Sequence, residues 1–418
     1  MGERPVRMRE AHAHVYAHGR SLSMVNLESC RSPDDMLEAI RRVVEQGQTT
    51  VLAHSARPES WEPRGWPPLS QFEDVCGDAV VAAWCFDYHA IMANRRALLH
   101  ANIDEDTTDP EGGQIGRDTH GNLTGVVYES AAGMLWGALE PRQVNPMDLI
   151  DGMIDLGGFA EIHDLKSQVD LGPKLRQAIE ERRAGIEFRA CYVLYPLVQD
   201  LPEVLKTRRD WQSDQVRLGG GKIFVDGTLN SRTAWMLHPF ADGRHEHPSG
   251  MRLMSDKQIE DAIRLCVGEG LQLAAHAIGD AAVRAVLDAA ERVRAPRGTV
   301  RIEHAEVIDE ADVPRFAELG VIASVQPCHL LYDIEALRRA CPHRLDRVQP
   351  LRELIDSGLK PGRDILFGSD TPIVRPDPED SILAATNRGR ADMARAEGIA
   401  PSQAISEAEA WACFDADA

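Results

Sequence analysis

The chain has 418 residues, 46 of them Lys or Arg and 66 Asp or Glu, a formal charge of −20 with histidine neutral. So negative a molecule repels phosphate backbones and anionic lipid surfaces, which argues against nucleic-acid binding and against basic-patch docking on a membrane. Hydrophobic residues at 43% and charged residues at 27% are ordinary for a globular enzyme, and no stretch approaches the roughly 20 apolar residues of a bilayer span.

The opening MGERPVRMREAHAH holds no apolar run behind its basic residues, so no secretory signal is expected. The eight cysteines never stand two or three residues apart, which argues against a disulfide framework and a thiolate zinc site. They read as reduced, mainly buried thiols of a cytoplasmic protein.

In chain order, VRMREAHAH (6–14) supplies a first strand. The long stretch that follows, to about Gly157, exceeds what one crossover needs and reads as an inserted cap. It contains a helix over 33–46 capped by Ser32, and its tract WEPRGWPP (61–68) reads as a surface-packed turn. Further strands are predicted at GFAEIHD (158–164), EFRACYVL (187–194), KIFVDG (222–227), LQLAAHA (271–277), TVRIEHA (299–305), VIASVQP (321–327) and ILFGSD (365–370). The helix before LQLAAHA opens at Ser255 with Gln258 three residues on, a capping box. It carries Ile259, Ala262, Ile263, Cys266 and Val267 at helical spacing and stops at Gly268 and Gly270.

Eight strands alternating with helices predict an α/β chain closed into a (β/α)8 TIM barrel with a long cap insertion after strand 1. An open doubly wound sheet has similar local periodicity, and the strand count favours the barrel. The expected division is 1–20 first strand, 21–150 cap, 151–375 remainder of the barrel and 376–418 a helical tail.

Chemistry concentrates at strand ends. His12 and His14 are two residues apart, so both imidazoles leave one side of a strand. His276, His304 and Asp370 each close a later strand, where barrel active sites are built, and imidazole with carboxylate suits zinc, iron or manganese. Any one of these histidines alone would more often be a hydrogen-bonded core residue; their convergence at matching ends favours a metal.

The segments GGGKIFVDGTLNSRTAWM (219–236), HAIGDAAV (276–283), RIEHAEVIDEADVPRFAELGVIASVQPCH (301–329) and FGSDTP (367–372) resemble the amidohydrolase superfamily, in its YtcJ-like or amidohydrolase 3 branch. YHAIMANRRAL (88–98), TGVVYES (124–130) and IHD (162–164) extend the resemblance through most of the chain. It implies a divalent site of one or two ions, Zn2+ with Fe2+ or Mn2+ as alternatives, held by His12, His14, Lys222, His276, His304 and Asp370. Lys222 would carry a carbamate derived from CO2, since a protonated amine cannot coordinate a cation; the plainer alternative is a strand lysine paired with Asp226. Such a metal acidifies water to hydroxide and polarises a carbonyl, with Asp370 as catalytic proton shuttle. His89, Arg232 and His329 are candidate substrate contacts, and His163 and Asp164 are expected to support the site from behind.

The activity implied is hydrolysis of carbon–nitrogen bonds other than peptide bonds, in an N-substituted amide, formamide or cyclic amide. Alternatives are an esterase or lactonase using the same site, or a metal-free barrel acting as a binding module. Two departures from the resemblance stand out. Only 11 residues precede His12 and 48 follow Asp370, so the relatives' β-sandwich is expected to be missing or reduced, which favours a homo-oligomer. The strand into the HxH pair is MREAHAH rather than an apolar approach, placing Arg9 and Glu10 beside the site. The remaining partner is a small-molecule substrate.

Overall fold

The computed structural model describes residues 3–139, 144–243 and 247–418. The chain forms two compact units, Met1–Gly19 with Val144–Ala418, and Arg20–Gln143.

Each of the eight predicted runs overlaps a strand of the larger unit. In order these are Arg9–Ala13, Glu161–Ser167, Cys191–Pro196, Gly220–Phe224, Gln272–Ala277, Val300–His304, Ile322–Val325 and Ile365–Phe367, referred to below as the first to the eighth. The first three pair in parallel, and the fourth to eighth form a second parallel run. A short strand, Val216–Leu218, runs beside the third and leads into the fourth. Isolated parallel bridges Leu197 to Lys222 and Ala13 to Thr371 join the ends of the two runs. This is a mixed α/β architecture of TIM-barrel-like kind.

Helices between strands bury one stripe each, as a crossover on a parallel sheet requires. Asp256–Gly268 does so with Ile259, Ala262, Ile263 and Cys266, and its predicted capping box is present in both directions, Ser255 with Gln258. Gly270 follows at φ +68, a left-handed turn that favours glycine. After the eighth strand, helices Pro378–Asn387 and Glu407–Ala412 return the chain to its beginning. There Arg9 N–H donates to Phe414 O at 2.6 Å, Ala416 N–H donates to Arg7 O at 3.0 Å, and Met8 bridges Asp415. The core is mainly aliphatic and runs from Ile162, Leu194 and Ile223 to Ile302, Val325 and the aromatic Phe367 along successive strands.

The smaller unit has a six-stranded sheet that the sequence reading did not anticipate. Its order is Val25–Asn26, Thr50–Ala56, Val80–Cys85, Ala90–Ala93, Leu123–Glu129 and Gly113–Arg117, parallel over the first three and antiparallel thereafter. Ile91, Leu98, Val127 and Leu135 centre its core. Helix Pro33–Glu45 is capped by Ser32, whose side chain accepts from Asp35 N–H. In the Trp/Pro tract Trp61 is buried and meets Trp66 edge-on at 6.0 Å. The eight cysteines are free thiols, seven of them buried. Among the described residues no helix is long and apolar enough to cross a membrane.

Val15–Gly19, the part of helix Val15–Ser21 that lies in the larger unit, packs on helix Pro146–Asp155 through glycines: a Cβ on Gly152 would stand 2.2 Å from Val15 O. Alanine is favoured over glycine in a helix by about 1 kcal/mol, whereas overpacking against a backbone carbonyl costs about 1–3 kcal/mol. The clash therefore wins, and Gly152→Ala is expected to lower Tm by several degrees in a thermal melt; an unchanged or raised Tm would show that the two helices separate freely.

Candidate metal centre

Each predicted ligand lies on or just after a strand of the larger unit. His12 is in the first strand and His14 follows it; Lys222 is in the fourth and His276 in the fifth; His304 ends the sixth and Asp370 follows the eighth. The HxH alternation acts as expected. His12 Nε2 lies 3.2 Å and His14 Nε2 2.9 Å from the same atom, Asp370 Oδ1. The approach is close because Gly368 lies against the first strand, where a Cβ would meet His12 N at 2.5 Å.

His12, His304 and Asp370 offer three ligand atoms within 4.8 Å of one another, all from buried residues. His304 Nδ1 is sealed from solvent with no hydrogen-bond partner, and the nearest carboxylate oxygen, Asp370 Oδ2, is 4.0 Å away. The proton positions sharpen this. His14 Nδ1 faces the carbonyl of Leu165, which only accepts, so this nitrogen carries a proton. His12 Nδ1 lies 2.7 Å from Glu303 Oε2, and Arg301 and His12 together outweigh burial to hold that carboxyl well below the usual range. Glu303 thus accepts from His12. Burial pushes His12 down to about 4, so its ring is neutral and Nε2 bears a lone pair. Burial, followed by the field of His276, likewise holds His304 far below the ordinary imidazole value. Burial opposes ionisation of Asp370, but His12, His14 and His304 outweigh it and keep the carboxyl well below its usual range. Neutral nitrogens and a carboxylate oxygen converging in this way form a donor set that fits a divalent cation.

The other predicted ligands stand close by with different partners. His276 packs its ring 4.5 Å from that of His304, while its Nε2 lies 3.1 Å from Gly227 O and 3.7 Å from Asp226 Oδ1. Lys222 is buried; burial lowers its amine to about 8 against the fields of Glu303 and Asp370, which raise it.

Of the candidate substrate contacts, His329 has Nε2 3.2 Å from Ser369 O and 3.9 Å from Asp370 Oδ2. Arg232 makes a two-pronged ion pair with Asp242, both contacts 2.7 Å, and also donates to the carbonyls of Leu229 and Asn230. His89 belongs to the smaller unit, where its Nδ1 lies 2.7 Å from Glu129 Oε2.

Sequence reasoning passed over Glu303 and Arg301. They sit at alternate positions of the sixth strand and face inward, where alternating charge reads as a solvated face; the one available signal was charge inside a strand between two apolar ones. Arg9 and Glu10, expected beside the site, diverge by the same alternation. Arg9 donates to Glu161 and Gly362 O, whereas Glu10 Oε1 accepts from His12 N–H at 3.0 Å and Ser369 N–H at 2.9 Å.

A family model described as amidohydrolase matches residues 8–414. The chain belongs to the amidohydrolase family, and it is a hydrolase. Within that family it is similar to the putative amidohydrolase YtcJ of Bacillus subtilis, 27% identical over 393 residues that make up 91% of this chain and 72% of that one. It is also 27% identical over 347 residues to the N-substituted formamide deformylase of Arthrobacter pascens, covering 77% of this chain and 60% of that one. In fold it is similar to an uncharacterised metal-dependent hydrolase from Pyrococcus horikoshii, with TM-score 0.73 and 22% identity over 97% of this chain and 78% of that one. A counterpart from Pyrococcus furiosus has TM-score 0.68 and 24% identity, over 97% and 80%.

Glu10 yields a pH test within this amidohydrolase. Burial raises its carboxyl from 4.5 to about 8 against two backbone hydrogen bonds that lower it. The folded state therefore keeps a proton that the unfolded chain loses above 4.5. The resulting stability is complete below pH 4.5 and lost as pH rises toward 8, on the order of 3 kcal/mol by neutral pH. Glu10→Gln keeps the accepting oxygen without the titration. In metal-free protein its Tm is expected to match the parent at pH 5 and exceed it increasingly toward pH 8; parallel melting curves would mean Glu10 is ionised in place.

Proposed function

We propose that this amidohydrolase is a metal-dependent hydrolase of carbon–nitrogen bonds other than peptide bonds, acting on an N-substituted amide, formamide or cyclic amide. The observation that carries the reading is the convergence of His12, His304 and Asp370 ligand atoms within 4.8 Å, with His304 Nδ1 sealed and unpartnered. The similarity to an N-substituted formamide deformylase supports the substrate class. Zn2+ is the ion we favour, with Fe2+ or Mn2+ as alternatives.

His12, His304 and Asp370 would hold one ion, and His14, Lys222 and His276 are the residues available to a second. A divalent ion there supplies Lewis acidity toward a carbonyl oxygen and acidifies water. Asp370 Oδ1 faces His12 and His14, which leaves Oδ2 to take the proton of the attacking water and deliver it to the departing nitrogen, a poor leaving group without it. His329, whose Nε2 is 3.9 Å from that oxygen, would orient substrate beside it, and Arg232 would act through the loop it braces with Asp242. The lowered amine of Lys222 supports carbamylation, which requires the neutral base.

We further infer that the eight strands close into a barrel through the bridges at Lys222 and Thr371. A cytoplasmic homo-oligomer, with a small-molecule substrate and neither nucleic acid nor membrane as partner, completes the proposal.

The test is elemental analysis of purified protein followed by a panel of N-formyl amines, cyclic amides, esters and lactones, before and after chelation. Stoichiometric metal and chelator-sensitive C–N hydrolysis are expected; absence of metal after purification in metal-supplemented medium, or turnover of esters alone, would overturn the reading. Asp370→Asn is expected to retain the parental melting profile while turnover falls roughly 10²–10⁴-fold. His304→Ala is expected to lose stoichiometric metal.

A further inference from the structure

Behind His12 lies a buried chain of polar groups with no part in the chemistry assigned above. Glu161 Oε1 is 2.9 Å from His163 Nε2; His163 Nδ1 is 2.7 Å from Arg301 Nη1; Arg301 pairs with Glu303 through Nε and Nη2; and Glu303 Oε2 is 2.7 Å from His12 Nδ1. Arg301 and Glu303 are wholly buried and His12 and His163 nearly so. The chain joins the first, second and sixth strands. Arg301 adds Ala11 O at 2.7 Å on the first strand and Ser324 Oγ at 2.8 Å on the seventh.

The direction of every hydrogen bond follows from one fact. A guanidinium has five donors and no acceptor. His163 Nδ1 must therefore accept from Arg301, which places the His163 proton on Nε2, where it is donated to Glu161. Glu303 must likewise accept from Arg301, and it turns its second oxygen to His12 Nδ1 as another acceptor. His12 satisfies it only with a proton on Nδ1, so its lone pair is fixed at Nε2, the nitrogen directed at Asp370. The Gln326 amide, 3.4 Å from the same Nδ1, is too distant to compete.

We propose that Glu303 and Arg301, oriented by His163 and Glu161, are positioning residues that lock the tautomer and ring direction of His12 and thereby set the affinity of the centre for its metal. The proposal rests on the metal-site reading above. It adds that ligand quality is controlled from within the strand array, by groups that touch neither metal nor substrate. Outer carboxylate partners of ligating histidines typically change metal affinity 10–100-fold when removed.

The test uses the full-length protein. Zn2+ Kd is measured by chelator competition for the parent, Glu303→Gln and Arg301→Lys, and histidine tautomers are read in metal-free parent by 15N NMR, with the His12 signal assigned from its loss in His12→Gln. The amide introduced by Glu303→Gln can donate as well as accept and so releases the tautomer, while a lysine cannot span the several partners of Arg301. Zn2+ binding weaker by 10–100-fold is expected in E303Q, a smaller loss in R301K, and a parent whose His12 proton is on Nδ1 and whose His163 proton is on Nε2. Parental Kd in E303Q, or a His12 proton on Nε2 in the parent, overturns the proposal. The NMR result on unsubstituted protein decides the matter if the variants do not fold. A parent that binds no Zn2+ at all would instead sink the metal reading, while the tautomers would still report on the lock.

Discussion

The buried ion pair of Arg301 with Glu303 is the interaction on which the larger unit's centre depends. Two charges removed from water carry a desolvation penalty of several kcal/mol each, repaid only when the pair is well oriented and its remaining donors and acceptors are satisfied. Both conditions are met. The guanidinium also serves His163, Ala11 O and Ser324, and the second carboxylate oxygen serves His12. Because removing one partner of such a pair costs roughly 3–5 kcal/mol, the arrangement holds the first, second, sixth and seventh strands to one relative position. The ligand face inherits that rigidity: His12 cannot turn without breaking its hydrogen bond to the buried carboxylate of Glu303.

A second constraint acts at the strand ends. His304, Ala305 and Asp370 have φ of 71, 42 and 63, in the left-handed region that side chains other than glycine avoid at a cost of about 1–3 kcal/mol each. Backbone hydrogen bonds hold them there: Ala305 N–H donates to Ala277 O at 3.1 Å, and Asp370 N–H donates to His12 O at 2.7 Å. Both turns come where a strand gives way to loop, and both bring a ligand atom back toward the first strand. Positive φ at two of the three clustered residues, together with the register shift that carries His12 between Glu10 and Ala13 of the first strand, is the pattern of a chain bent to bring side chains together.

The strands and the strand-end residues were legible because a parallel sheet writes itself as short apolar runs at crossover spacing, and because His12, His14, His304 and Asp370 sit at or next to the ends of their strands. What lies one step further in was not. Arg301 and Glu303 alternate with Val300 and Ile302, the pattern of a half-exposed strand, and only the first run of strands, which meets them through His12, Ala11 and His163, makes that face interior. His276 occupies as legible a strand end as His304, yet its Nε2 turns to Gly227 O, a rotamer choice that depends on a loop 49 residues earlier in the chain. In the smaller unit, strands such as Ala90–Ala93 and Gly113–Arg117 are too short or too glycine-rich to show period-2 alternation, and mixed pairing removes the regular spacing that made the larger sheet readable.

The same neighbours that organise the centre sort its acids. Glu303 and Asp370, facing arginine and imidazoles, stay ionised in spite of burial. Glu161 is held down to about 2, because His163 and Arg9 outweigh the burial that opposes ionisation. Burial pushes Glu306 well above the ordinary carboxyl range, and the acids Asp333 and Asp226 push it further, while burial dominates the rise of Glu10. Environments that drive equivalent groups apart in this way create both acceptors that remain charged and carboxyls that keep their proton. The formal charge of −20 therefore overstates the negative charge of the folded molecule at neutral pH, since Glu10 largely retains its proton there. At the centre itself the negative charge lies on Glu303 and Asp370, one balanced by Arg301 and the other facing the imidazoles of His12 and His14, the position in which a divalent cation is best accommodated.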